Sequence, residues 1–135
     1  MSHQVGSEMM HAYLDALVSR GDFAGYFADD VTFEIVGTPQ TAHGRTAVRD
    51  MIMYLHTQAF DGNAKIKTVI VADGHAAVEC DFVGVHTGEF LGIPATGKSV
   101  NVPYAVVYDL SDTEVFALRI YMSMEIMKEQ LTSPA

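Results

Sequence analysis

The sequence predicts an α+β fold: a curved antiparallel sheet wrapped by N-terminal helices into a cone with an apolar pocket. Two observations carry that prediction. Residues 66–124 read as β-rich runs in succession, KIKTVIVA, HAAVECDFVGVHTGEF, KSVNVPYAVVYDL and EVFALRIYMS, while helical periodicity is concentrated before them. Helices first and a strand meander afterwards place the helices on one face of the sheet. Turn chemistry separates the runs: Asp73-Gly74, a GIPATG corner at 92–97, and Ser111-Asp112-Thr113. An Asp-Gly pair between β-rich runs predicts a type I′ hairpin, which needs positive φ at both central residues. Long twisted strands curl around such a cover, leaving one closed end and one open mouth.

The elements follow in order. Val5, Met9, Met10, Tyr13, Leu14, Leu17 and Val18 have the spacing of an amphipathic helix over residues 5–20, with Gly21 as its stop. DFAGYFADD predicts a short second helix and VTFEIVG an extended segment. Thr38-Pro39 opens a polar loop, and His43-Gly44-Arg45 leads into a third helix. That helix carries Val48, Met51, Ile52 and Leu55 on one face and stops near Asp61-Gly62. After the sheet come a short helix at about 125–131 and a frayed Thr-Ser-Pro-Ala tail.

Composition bounds the function. A chain of 135 residues, 49% hydrophobic and 19% charged, is expected to fold as one domain over residues 1–135. The net charge is −9 and the eight Lys and Arg are scattered, which argues against nucleic acid as a partner. No apolar run is long enough to span a bilayer, so no membrane role is expected. The N-terminus lacks the basic-then-apolar layout of a signal peptide. A single cysteine, Cys80, excludes an internal disulfide and suits the cytoplasm. Its alternating context predicts a packed small hydrophobe.

The usual motifs are missing. His3, His11, His43, His56, His75 and His86 form no HxH, HxxxH or HExxH spacing, so neither a metal nor another cofactor is expected. ATGKS at 95–99 opens a strand, whereas a phosphate loop opens a helix, and it reads as a turn. No GxSxG appears. What remains is polar residues inside apolar strands. Glu79 and Asp81 share one face of their strand; His86 has the parity of Cys80 and Phe82 on the other. Arg119, Tyr121 and Ser123 share a face of the last strand, and Arg119 is expected to pair with a carboxylate such as Asp81 or Glu79. Glu34 lies between Phe33 and Ile35. Each polar group points to water or into a pocket.

These residues resemble a known family. GVHTGEFLGIPATGKSVNVPYAVVYDL followed by RIYMSMEIMKEQL is similar to the SnoaL-like polyketide cyclase branch of the nuclear transport factor 2-like superfamily. The shared features are a Gly-x-His-x-Gly strand end, a Gly-x-x-x-Thr-Gly-Lys corner, an Arg-x-Tyr strand and a closing Gln130-Leu131. FADDVTFE and the Gly44–Val48 helix start agree as well. The resemblance implies a helix-wrapped sheet around an apolar pocket and a homodimer packed through the sheet's outer face. It implies cofactor-independent cyclase or isomerase chemistry on a polyketide- or terpenoid-like substrate, with epoxide hydrolysis and non-catalytic binding as alternatives. The family's last-strand acid is Ser123 here, and serine does not titrate near neutral pH. The resemblance and the polar residues together nominate His86, Asp81 and Arg119 as catalytic. They nominate Tyr13, Glu34, Ile35, Tyr54, Tyr121 and Ser123 as substrate-binding, with Glu34 and His43 as further substitutes for the acid. Methionines on the cone's elements, such as Met122 and Met127, suit either a plastic pocket or ordinary core filling.

Overall fold

Helices and strands alternate in burial as the periodicity predicts, around a sheet that is mixed rather than purely antiparallel. The structure, a computed structural model, describes residues 2–133; the side chains of His3 and Val5 and the Pro134-Ala135 end lie outside that description. The elements are α1 (Ser2–Val18), a 3-10 turn (Phe23–Tyr26), β1 (Phe27–Ile35), β2 (Thr41–His43) and α2 (Arg45–Met53). A π turn (Tyr54–Gln58) follows, then β3 (Phe60–Ala72), β4 (His75–His86), β5 (Ser99–Leu110), β6 (Val115–Met122) and α3 (Met124–Thr132). The six strands run in the order β2-β1-β6-β5-β4-β3. β3 to β6 form the expected meander, and β1 adds to β6 in parallel. Among the described residues no helix is long and apolar enough to cross a membrane.

Several local expectations are corrected. The segment read as a second helix makes only one 3-10 turn. From Phe27 the chain extends, because Phe27, Val31, Phe33 and Ile35 bury alternate side chains while pairing with β6. Part of the polar loop forms the short edge strand β2. Asp61-Gly62 does not stop the third helix; it lies inside β3, opposite Val85 and Gly84. At the hairpin only Gly74 has positive φ, at 78°, so the turn is not type I′. At the end of α1 the left-handed position is taken by Arg20, φ 58°, and not by Gly21. A non-glycine residue there costs about 1–2 kcal/mol, offset by the acceptors that hold its guanidinium. Pro103 introduces no bulge, since the β4–β5 register is unbroken from His75↔Asp109 to Val85↔Ser99.

All helices cover the same face. Along β4, Ala76, Val78, Cys80, Phe82 and His86 are buried while Ala77, Glu79, Asp81, Val83 and Val85 face outward. Along β5 the inward set is Val100, Val102, Tyr104, Val106, Tyr108 and Leu110. Met9, Met10, Tyr13, Leu14 and Leu17 of α1 bury against this face, whereas Val18 stays exposed. The sheet curls where Gly62 and Gly84 oppose each other: a Cβ on Gly84 would lie 2.6 Å from both the Asp61 oxygen and the Gly62 Cα. Two bare backbones can approach there, and the strands bend inward.

Candidate functional site

The concave face leaves two adjoining chambers that share the His56, Tyr104 and Ile120 side chains as a common wall. The outer one, open on one side, lies between Phe60, Phe82, Phe90, Met122 and Met127. The inner one reaches Tyr13, Phe33, Val106 and Tyr108. Neither lining contains a carboxylate, an arginine or a lysine. Among the described residues no group of three or more His, Cys, Asp or Glu is placed to hold a metal ion.

His56 is presented by the π turn, a helical irregularity that often marks a functional position. The Ala59 N–H reaches back five residues to the Tyr54 carbonyl at 2.8 Å, which rotates His56 inward. Its ring packs on Phe82 with centroids 5.6 Å apart. Burial, reinforced by the Arg20 charge, pushes its pKa down to about 4, so it is a neutral imidazole at pH 7. Arg20 secures the turn: its guanidinium donates to the His56 carbonyl at 3.4 Å, to the Gly62 carbonyl at 2.9 Å and to the Asp61 carboxylate at 3.3 Å.

Facing His56 are three tyrosines. Tyr104 and Tyr108 lie four residues apart on β5 and both point inward; Tyr13 arrives from α1, its ring edge-on to Tyr108 at 5.8 Å. Tyr104 stands directly across from Cys80 on the neighbouring strand, and the Tyr13 and Tyr108 rings meet at the inner end. Burial raises the pKa of all three tyrosines, so they remain O–H groups. Burial likewise pushes the Cys80 thiol up to about 11. The native thiol is therefore expected to resist iodoacetamide at pH 8 for hours and to be labelled stoichiometrically in urea, since the thiolate is the reactive form; intact-mass measurement distinguishes the two.

The residues nominated from the sequence are dispersed. Tyr13 and Ile35 line the chambers. His86 is fully buried, but its Nδ1 accepts the Thr96 N–H at 3.1 Å and lies 3.0 Å from the Thr96 hydroxyl. It thereby fastens the 92–97 corner to β4, with its ring on Phe60 at 5.2 Å, while Nε2 has no partner. Asp81 faces outward and pairs with Lys67 at 3.1 Å. Arg119 also faces outward, and its partner is neither Asp81 nor Glu79 but Asp109, gripped at 2.8 and 2.9 Å. Register decides this: Val107 is opposite Arg119, which leaves Asp109 diagonal to it on the same face, whereas Asp81 lies one strand further away beside Pro103. The Arg119 hydrogen bonds hold the Asp109 carboxyl below its usual range, against the opposing effect of burial. Glu34, His43 and Tyr121 are exposed, Glu34 and His43 on an outer groove with Arg119. The Tyr54 hydroxyl donates to the Glu89 carbonyl and ties the π turn to the 87–93 segment. Ser123 is exposed and caps α3, accepting the Ile126 N–H at 3.2 Å.

His56, Tyr104 and Tyr108 escaped the sequence reading. Tyr104-Ala105-Val106-Val107-Tyr108 carried the signal, because tyrosines four residues apart on a strand share one face. His56 has no metal-ligand spacing, yet two turns of apolar spacing from Val48 and Ile52 place it near the buried side of its helix.

Comparison with known proteins bears on this geometry. The profile of the SnoaL-like polyketide cyclase family matches residues 7–130. No curated protein matches the chain in sequence. Among solved structures, a candidate SnoaL-like polyketide cyclase from Jannaschia sp. CCS1 superposes with a TM-score of 0.85 at 18% identity, covering 98% of this chain and 95% of that one. TsrD from Streptomyces laurentii gives 0.79 at 19% identity, covering 97% of each. An LEH-like epoxide hydrolase from M. tuberculosis gives 0.75 at 16% identity, covering 97% and 92%. At such identities the likeness is one of fold.

Proposed function

The chain belongs to the SnoaL-like polyketide cyclase family, and from that premise we propose that it is a cofactor-independent cyclase or isomerase acting on an apolar carbonyl compound of polyketide or terpenoid type. The observation that carries this reading is a neutral imidazole opposite tyrosine hydroxyls in an apolar cavity. His56 accepts a proton from the carbon beside the substrate carbonyl. The hydroxyls of the Tyr13, Tyr104 and Tyr108 group donate to the oxygen as it gains negative charge, an arrangement that is most effective where water is excluded. Return of the proton to another carbon completes an isomerisation. Attack of the enolate carbon on a second carbonyl closes a ring.

Hydrolysis of an epoxide would need a carboxylate beside a water, and Asp81, Glu34 and Arg119 occupy the outer face. Incubation with an enolisable ketone such as α-tetralone in deuterium oxide, followed by NMR, tests the reading. Exchange beside the carbonyl above the buffer rate supports it; saturable binding with no exchange above that rate would make the protein a binder. We also propose that the outer face pairs with a second copy, because Ile70, Val83 and Tyr121 stand 61%, 42% and 49% exposed there. Light scattering that gives a monomer at all concentrations would exclude this.

A further inference from the structure

We propose that the cavity takes a compound with one oxygen-bearing end, anchored by the Tyr104 hydroxyl, and a hydrocarbon or aromatic body lying in the outer chamber. The inference deepens the reading above and rests on the same cavity being a ligand site. Its first ground is how polarity is distributed. The outer chamber offers aromatic rings, aliphatic chains and thioethers, and its ionisable side chains, His56 and Tyr104, both stand on the wall shared with the inner chamber. The Tyr13 and Tyr108 hydroxyls lie beyond that wall. Polar ligand atoms therefore find partners at one end only. A hydroxyl at the other end would gain no protein partner, whether it is buried or reaches water through the open side, so it should not tighten binding.

The second ground is where Tyr104 stands. It lies directly across from Cys80 on the neighbouring strand, and a thiol sulfur is a weak acceptor. Tyr13 and Tyr108 meet each other in the inner chamber, whereas Tyr104 is the tyrosine that also lines the outer one. Cys80 sits behind it at 3% exposure. Burial keeps that thiol protonated, so it does not become the strong acceptor that a thiolate would be. A ligand oxygen is a better acceptor for this hydroxyl than the neighbouring thiol, and its position on the shared wall directs the rest of the ligand into the apolar chamber.

Calorimetric titration of the full chain with α-tetralone, with tetralin as the hydrocarbon lacking the oxygen, and with a tetralone hydroxylated at the end remote from the carbonyl tests this. Tyr104→Phe is expected to weaken the ketone about five- to tenfold relative to tetralin, the worth of one hydrogen bond. Cys80→Ala, which removes the neighbouring sulfur, leaves the ketone bound as tightly or more tightly. Cys80→Ser supplies a better competing acceptor and weakens the ketone several-fold while sparing tetralin. Equal losses for ketone and hydrocarbon in Tyr104→Phe, or tighter binding of the remotely hydroxylated ketone, would overturn the proposal. Failure of wild type to bind any of the three probes would overturn it together with the functional reading. The expected pattern of affinities with no deuterium exchange would remove the catalytic reading alone.

Discussion

His56→Gln is expected to reduce turnover by about two to four orders of magnitude, the range that one general base supplies, while leaving ligand affinity within a few-fold of wild type. The reason is positional. Of the groups lining the two chambers, His56 alone is an unprotonated nitrogen base at neutral pH, since burial holds the tyrosines protonated. The pH profile separates a base from a merely packed ring. Because its pKa lies near 4, the acid limb of the rate should fall at about pH 4 and not at the 6.5 of a free histidine. Arg20→Gln removes the neighbouring cation and should move that limb upward, with the same shift seen in the His56 ring resonances. Stability follows the same titration with a definite sign. The unfolded chain takes up the proton first, at about pH 6.5, and the folded chain only near 4. Stability is therefore full above about 6.5 and is lost progressively as pH falls toward 4, a slope that His56→Gln should flatten in urea titrations. Undiminished turnover in His56→Gln would place the base elsewhere.

The fold was legible because its signals are local and redundant. Glycine-marked turns, period-two runs and the helical stripe of α1 each specify an element before any contact is known. The site was not, and two residues show why. His86 drew attention as a polar group in an apolar strand, yet its Nδ1 finds its partner in Thr96 of the next corner, a contact across ten residues that no periodicity encodes. Ser123 looked like a lost acid, and it has a local task of its own as the cap of α3. The pocket polarity had instead moved to Tyr104 and Tyr108, whose direction depends on the strand's parity against its neighbours. His56 depends on a π turn, which adds one residue to a helical repeat and so changes which side chain faces in. Register and helical irregularity are settled by tertiary packing, and sequence spacing alone does not reveal them.

Gly84→Ala is expected to destabilise the protein by about 3 kcal/mol, at the upper end of what one added methyl costs in a packed interior. The cost is steric. Gly84 has no positive φ, but its added Cβ would meet the Asp61 oxygen and the Gly62 Cα, both at 2.6 Å. These are backbone atoms, and they yield only if β3 and β4 separate. Gly62→Ala is expected to be milder, because its Cβ would meet the Phe82 ring end and the Val83 oxygen at 3.0 Å, and the ring can turn. Gly74→Ala serves as the contrasting case: its φ is 78° with nothing within 4 Å of the added carbon, so it should cost about 1 kcal/mol from backbone strain alone. The order Gly84, Gly62, Gly74 in urea unfolding therefore distinguishes crowding from strain. The same bend lies between Phe60 and Phe82, two walls of the outer chamber. Forcing the strands apart there should widen the chamber as it weakens the fold, so surviving Gly84→Ala protein should bind an apolar probe less tightly than Gly74→Ala. Equal stability of Gly84→Ala and wild type would mean that the curl of the sheet, and with it the cavity, has another cause.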